Sequence, residues 1–336
     1  MMAKTFLRCQ NGINMKLSQL RDVIAVAERG SLRGAARHLG LSQPAITRSI
    51  HEIERELGVA LFERQAKGMA LTPMGELFVR RASAAQGELR RARDEIDQLR
   101  GQTTGRVCVG LSTVSHLALL PRSLATFRVR YPEVFLDLAE GLFPTMEAAL
   151  KDGKLDFYVG PLPETQLPKD FVVEKLFDNE RVILARNGHP LAGARSLKDL
   201  VDARWITTSI TVQSDAELGP LFARHGLPSP CIQMQAHSAL TMIVAAANSD
   251  LLTMLPQQWR EFPWTSGLLQ TIDVEEVLHA PAMHVVRRAR LPLTPAAEYL
   301  CDLMRRAAQQ QVPKQNRAQK TLPAAKTRKS PRGRRS

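Results

Sequence analysis

Residues 31–58 read SLRGAARHLGLSQPAITRSIHEIERELG, and residues 61–75 continue LFERQAKGMALTPMG. The first stretch carries two helices marked by their ends. Ser31 is a good N-cap for Leu32 to Leu39, Gly40 closes that helix, and Ser42 caps the next, with Pro44 in a first turn where a missing N–H does no harm. Upstream, Leu17, Leu20, Ile24 and Ala27 recur at helical intervals as far as Gly30, so Leu17 to Arg29 has one face to bury. Ile46, Ile50, Ile53 and Leu57 make the equivalent stripe on the third helix, and Ala35 and Ala36 let the second pack closely.

That stripe leaves Gln43, Thr47, Arg48 and His51 outside, donor-rich side chains in the half of a helix that can reach base edges or phosphates. Any one of them alone reads better as a solvated residue. Three helices in this order with a very short middle turn, followed by a hairpin anchored by Phe62 and Leu71, predict an N-terminal all-α winged helix-turn-helix over 16–73. Arg64 and Lys67 on the wing would face phosphates. The candidate DNA-contacting set is Ser31, Arg33, Ser42, Gln43, Pro44, Thr47, Arg48, His51, Arg64 and Lys67.

Thr72 and Pro73 start a long linker helix over 74–100, on which Phe78, Ala82, Ala85, Leu89, Ala92, Ile96 and Leu99 fall at alternating intervals of four and three. This is an a/d seam flanked by Arg80, Arg81, Glu88, Arg90, Arg91, Asp94 and Glu95 for solubility and register. A helix from Pro73 to Leu99 is about 40 Å long and too one-sided to be stable alone, so the seam implies a partner helix and is the candidate dimerisation surface.

The chain has 46 Lys+Arg against 33 Asp+Glu, net +13, a balance that suits nucleic acid or another anionic partner. The charge is uneven. Residues 307–336 carry Lys314, Arg317, Lys320, Lys326, Arg328, Lys329, Arg332, Arg334 and Arg335 with no acid, whereas 101–306 is net −2. The tail has almost nothing to bury and is expected to be disordered. It reads first as a solvated extension, with sequence-independent phosphate attraction as the alternative.

From 105 to 306 apolar strands alternate with amphipathic helices, which predicts a C-terminal α/β domain of two lobes, lobe I at about 105–180 and 275–306 and lobe II at about 181–274. Ligands of such sheets sit at the carboxyl ends of strands. That rule selects Ser112, Thr113 and Ser115 after the Val107 strand, Gly141 and Leu142 after the Phe135 strand, and Gly160 and Pro161 after the Leu155 strand. In lobe II it selects Thr207, Thr208 and Ser209, with His237 and Ser238 at the start of an Ala-rich helix. These hydroxyls and backbone amides suit a small carboxylate or sulfonate, although each hydroxyl alone reads as well as a helix cap. Phe143, Phe157 and Tyr158 read as core or as walls of the site.

Residues 16 to 75 resemble the DNA-binding domain of the LysR-type transcriptional regulators, and the two stretches quoted above stand close to the family signature. Arg33 and Gly34 depart from it, and Gly34 should weaken its helix by about 1 kcal/mol relative to Ala. The resemblance implies a linker-helix dimer, a periplasmic-binding-protein-like effector domain, and tetramers arranged as dimers of dimers that bend promoter DNA to activate or repress. RNA polymerase is a further candidate partner. Glu140 to Pro144 and Leu155 to Pro161 are similar to the branch that responds to aromatic sulfonates or sugars. Family members usually begin just before the winged domain, so either Met15 or Met1 is the start, with 1–15 an N-terminal extension.

Other classes are poorly supported. There is no Gly-x-Ser-x-Gly, phosphate-cradling loop or dinucleotide fingerprint, so no catalytic residue is expected. The eight histidines show no metal-binding pair, and Cys9, Cys108, Cys231 and Cys301 lie far apart, reading as reduced thiols with Cys108 and Cys231 buried in strands. Redox sensing by either is the lesser reading. No cofactor is expected beyond a small organic effector. No apolar run approaches the roughly 18 residues of a membrane span, which points to the cytoplasm. The alternatives to a ligand-responsive regulator are a small-molecule-binding protein with only non-specific DNA affinity, and a chromatin-like binder with no sequence preference.

Overall fold

A computed structural model describes residues 15–66, 68–163, 167–208, 218–236 and 238–311. Residues 1–14, Lys67, Ser209, His237 and the basic segment from 312 lie outside the described residues. Helices α1 (Leu17–Arg29), α2 (Leu32–Leu39) and α3 (Gln43–Leu57) precede strands β1 (Phe62–Gln65) and β2 (Gly68–Leu71) and the long helix α4 (Pro73–Leu99). Each start is set by a side chain that satisfies an orphan amide: Ser31 Oγ accepts from Gly34 N at 3.0 Å, Ser42 Oγ from Ala45 N at 3.4 Å and Thr72 Oγ1 from Gly75 N at 3.0 Å.

Val23, Val26, Ala35, Ile46, Ile50, Ile53, Leu61 and Phe62 form one buried cluster. Leu17 and Leu57, expected in the stripes, are exposed, because they stand at helix ends past the edge of this core. A buried polar pair also ties α3 to α1, Ser49 Oγ donating to Asp22 Oδ2 at 2.7 Å. The wing is fixed at two points. Glu54 Oε1 accepts from Leu61 N at 2.8 Å and Phe62 N at 3.2 Å, and Met69 N donates to Gly30 O at 2.8 Å. Gly68, at φ +134°, lets that strand approach, since a Cβ there would stand 2.4 Å from Gly30 O.

Helix α4 corrects two expectations. Phe78 packs against the winged-domain core and Ala82 is buried, so these seam positions face their own domain and only Ala85, Leu89, Ala92, Ile96 and Leu99 remain as an exposed stripe. Arg91, read as a solubilising flank, is 8% exposed. It and Glu88 belong to an ionic cluster on a face adjoining the stripe.

The chain divides into two compact units. The first holds everything up to His116, residues 123–174 and residues 284–303. In it β3 (Arg106–Leu111) lies between β4 (Phe135–Glu140) and β5 (Phe157–Pro161), all parallel, with helices α5 (Thr113–Ala118), α6 (Leu120–Arg130) and α7 (Phe143–Lys151) in the connections. The 16-residue β6 (Phe171–Arg186) runs on into the second unit. There β7 (Arg204–Thr208), α8 (Leu218–Arg224), β8 (Cys231–Ala236), α9 (Ala239–Ala247), β9 (Leu251–Pro256), α10 (Pro263–Ser266) and β10 (Leu269–Ile272) follow. Strand β9 pairs antiparallel with β6 and parallel with β7, and β7 pairs parallel with β8.

The second unit has two packed faces, one around Trp205, Phe222 and Leu252 and the other around Ile206, Met242, Ile243 and Trp259. Strand β11 (His279–Arg288) returns to the first unit beside β5, and α11 (Pro295–Gln309) ends the described fold. Of the unit boundaries, Glu174/Lys175 and Met283/His284 fall inside β6 and β11, and those at His116/Leu117, Arg122/Ser123 and Leu303/Met304 fall inside α5, α6 and α11. Helix α11 runs to Gln309 rather than stopping at Arg306, because Ala307 and Ala308 are buried.

Two stability predictions follow from the winged domain. A Cβ on Gly75 would meet Leu61 O at 2.0 Å, so Gly75→Ala should destabilise the domain by about 1–3 kcal/mol in denaturant unfolding; an unchanged midpoint would show that α4 shifts freely there. Glu54→Ala strands two amides, and should speed hydrogen exchange at Leu61 and Phe62 while leaving the middle of α1 protected.

Candidate nucleic-acid interface and effector ridges

The outer face of α3 gathers Gln43, Pro44, Thr47, Arg48 and His51 around an open hollow of about 750 Å³, together with Glu52 and Arg55. Gln43, Pro44, Arg48 and His51 are exposed. Thr47 Oγ1 donates to Gln43 O at 3.0 Å, which fixes its rotamer and leaves its lone pairs outward. Ser42 and Ser31 are engaged as caps, so their first role is to place the helices, as Pro44 does in the opening turn of α3. Arg33 on α2 and Arg64 on β1 are exposed, and Arg64 stands opposite Met69 in the wing.

Glu52 and Arg55 were missed. The signal was present, since they lie one helical turn beyond Arg48 and His51 on the same face. Glu52 accepts from Gln19 Nε2 at 3.0 Å, and His51 Nδ1 lies 3.5 Å from Glu54 Oε2. The hollow therefore mixes two guanidiniums with a carboxylate and a carboxamide, an assortment suited to base edges as well as to phosphate.

In the first unit the strand ends bring Ser112, Thr113, Ser115, Gly141, Leu142, Gly160 and Pro161 onto one ridge. Ser112 N donates to Val159 O at 2.9 Å and Gly141 N to Leu111 O at 3.1 Å, so the ends of β3, β4 and β5 are laced together. The side chains are not equivalent. Ser115 is fully buried and its hydroxyl donates to Val159 O at 2.7 Å, which makes it a brace for the ridge rather than an offered donor. Ser112 Oγ lies 3.2 Å from Ser115 Oγ, and Thr113 Oγ1 donates to Glu140 Oε1 at 3.1 Å, so a carboxylate flanks the ridge.

Neither Gly141 nor Gly160 has room for a side chain, since a Cβ would stand 2.1 Å from Met146 Cε or from Tyr158 Oη respectively. The Tyr158 hydroxyl donates to Pro161 O at 3.3 Å, and burial pushes its pKa above the usual tyrosine range. With Phe143 and Phe157 it is buried core. His116, which the strand-end rule does not select, places Nδ1 3.1 Å from Ser112 O, and a carbonyl there makes that nitrogen the donor.

In the second unit Thr207 is buried near the end of β7, and Thr208 is registered against Ala236 of β8, which places it beside the turn into α9. Ser238 stands at the N-cap of α9, exposed, with no side-chain cap hydrogen bond. Cys231 corrects an expectation: at the first position of β8 it is exposed, whereas Cys108 is buried as expected. Among the described residues no group of three or more His, Cys, Asp or Glu could hold a metal, and no helix is long and apolar enough to cross a membrane.

Residues 17–76 match the bacterial regulatory helix-turn-helix protein, lysR family, and residues 100–309 match the LysR substrate binding domain. The chain is 28% identical over 278 residues to the HTH-type transcriptional regulator TdcA of Escherichia coli (strain K12), spanning 83% of this chain and 88% of that protein. It is 30% identical over 294 residues to the SDS degradation transcriptional activation protein of Pseudomonas sp. (strain ATCC 19151), spanning 86% and 95%. In fold it is similar to CbnR, a LysR family transcriptional regulator, at TM-score 0.66 and 20% identity over 88% of this chain and 99% of that one. Full-length CbnR complexed with its target DNA gives TM-score 0.67 at 20% identity over 87% and 100%. With a DNA-binding helix-turn-helix and a substrate-binding domain matched in this order along most of its length, the chain belongs to the LysR family of transcriptional regulators.

Proposed function

We propose that the protein binds a two-fold promoter site in the cytoplasm, as a dimer joined along α4, and that a small effector held at the strand ends of the substrate-binding domain changes that binding. The observation that carries the reading is the outer face of α3, where Gln43, Thr47, Arg48 and His51 are presented around one hollow. The structure of full-length CbnR complexed with its target DNA supports DNA as the partner. The dimer is supported by the exposed stripe Ala85, Leu89, Ala92, Ile96 and Leu99, whose apolar surface a helix of this length does not leave in water. Assembly of two dimers into a tetramer, and contact with RNA polymerase, extend this reading by family resemblance.

The effector is a small polar molecule. The polar ridge of Ser112, Thr113, Gly141 and Gly160 in the first unit is the proposed seat of its polar group, which would exchange with the Thr113 bond to Glu140. A ligand shifts the assembly only through unequal affinity for two arrangements.

The test is footprinting on the DNA upstream of the protein's own gene at about 0.15 M salt, with a scrambled duplex as control. A protected two-fold site is expected. Arg48→Ala should lose about 1–3 kcal/mol of discrimination between the two duplexes. Arg64→Ala should weaken both alike and lower the salt slope by about 0.9. Equal affinity for promoter and scrambled DNA would sink the reading in favour of a small-molecule-binding protein with only electrostatic DNA affinity.

A further inference from the structure

A face of α4 adjoining its apolar stripe is held by charge to β11 and to the segment before β5. Arg91 donates through Nη1 to Gly153 O at 2.7 Å and lies 3.5 Å from Asp156 Oδ1, while Glu88 accepts from both Arg91 and Arg288 of β11. Asp156, buried at the start of β5, accepts from Cys108 N of β3 at 2.8 Å. Two guanidiniums share this space because Gly153 leaves it open; a Cβ there would lie 2.6 Å from Arg91 Nη2 and 2.7 Å from Arg288 Nη1. Their like charges are tolerated because Glu88 bridges them. A second set of contacts lies further along the helix, where Gln98 Nε2 donates to Thr104 O at 3.0 Å, Gln98 Oε1 accepts from Ala296 N at 2.9 Å, and Asp94 Oδ2 accepts from Arg106 N at 3.2 Å.

Buried ion pairs add little net stability over an apolar contact of similar volume, yet losing one member leaves an unpaired charge, so their use lies in specifying one geometry. Burial raises the Glu88 carboxyl, but the hydrogen bonds and charges of Arg91 and Arg288 outweigh it and hold the group below the usual carboxylate range. Burial of Asp156 outweighs the Cys108 amide and the charges of Arg91, Arg288 and Arg90, and raises its carboxyl. The cluster grips the amino ends of β3 and β5, and the effector ridge lies at the carboxyl ends of the same strands.

We infer that Glu88, Arg91, Arg288 and Asp156 are positioning residues whose joint fixes the direction of α4 relative to the sheet of β3, β5 and β11, and so the spacing at which two winged domains meet DNA. The consequence for spacing rests on the two-fold reading above, whereas the joint rests on the geometry alone.

The test uses the full chain carrying Cys9→Ser and Cys231→Ser, with nitroxide labels at Arg93→Cys on α4 and Glu133→Cys before β4, both exposed, diluted in unlabelled protein. Pulsed dipolar spectroscopy should give one narrow distance, broadened by Glu88→Gln and by Arg288→Met. On duplexes whose half-sites are moved one base pair at a time, Glu88→Gln should cut the preference for the best spacing by roughly 2- to 30-fold. A merely structural role would lower affinity at every spacing alike. Wild-type distances in both variants, with native circular dichroism, would overturn the joint. Should Arg288→Met fail to fold, Glu88→Gln decides, since that carboxylate is 32% exposed and keeps its shape as an amide. A parent chain with no spacing preference would instead sink the two-fold reading, and the distance measurement would still judge the joint.

Discussion

A 27-residue helix in water has to be covered on more than one side, and α4 meets that constraint in three ways at once. Its first turns lie in the winged-domain core through Phe78, Val79 and Ala82. Its second half is clasped by the first unit through Arg91 and Gln98, and its remaining face is the apolar stripe. Because about 27 Å of helix separates Arg91 from Pro73, a tilt of roughly 10° at the clasp moves that end by about 5 Å, more than the rise of one base pair. Small changes at the lobe are therefore large at the DNA, and a joint built from directional charged hydrogen bonds suits that lever better than an apolar contact, which tolerates sliding.

The elements that obey local rules were legible in the sequence. Ser31, Ser42 and Thr72 cap their helices through atoms three residues away, and the apolar spacing of Ile46, Ile50 and Ile53 marks their common burial. What was not legible is non-local. Glu88 and Arg288 are separated by 200 positions, and nothing near Glu88 distinguishes it from a solubilising flank. Phe78 fits the heptad spacing as well as Leu89 does, yet one faces its own domain and the other faces outward, a difference fixed only when α1 packs against α4.

The ridge of the first unit shows the same division. The rule that ligands lie at strand ends selects backbone that the fold brings together, because β3, β4 and β5 are parallel and in register. It could not separate Ser112 from Ser115, three residues apart, since which hydroxyl is spent on Val159 O depends on the turn of α5 over the end of β5. Spending Ser115 inside has a use. It ties the end of β5 to the turn that follows β3 and holds that turn in one arrangement.

Attraction and recognition are also separated along the chain. Residues 101–306 are net −2, so the substrate-binding domain adds no general pull toward DNA, and the net positive charge lies elsewhere in the chain. The recognition face is not simply basic, since Glu52 stands in the hollow with Arg48 and Arg55. A carboxylate there repels every phosphate alike and is compensated only where a base edge supplies a donor, such as the amino group of cytosine. An acid in that position lowers affinity for the wrong duplex more than for the right one.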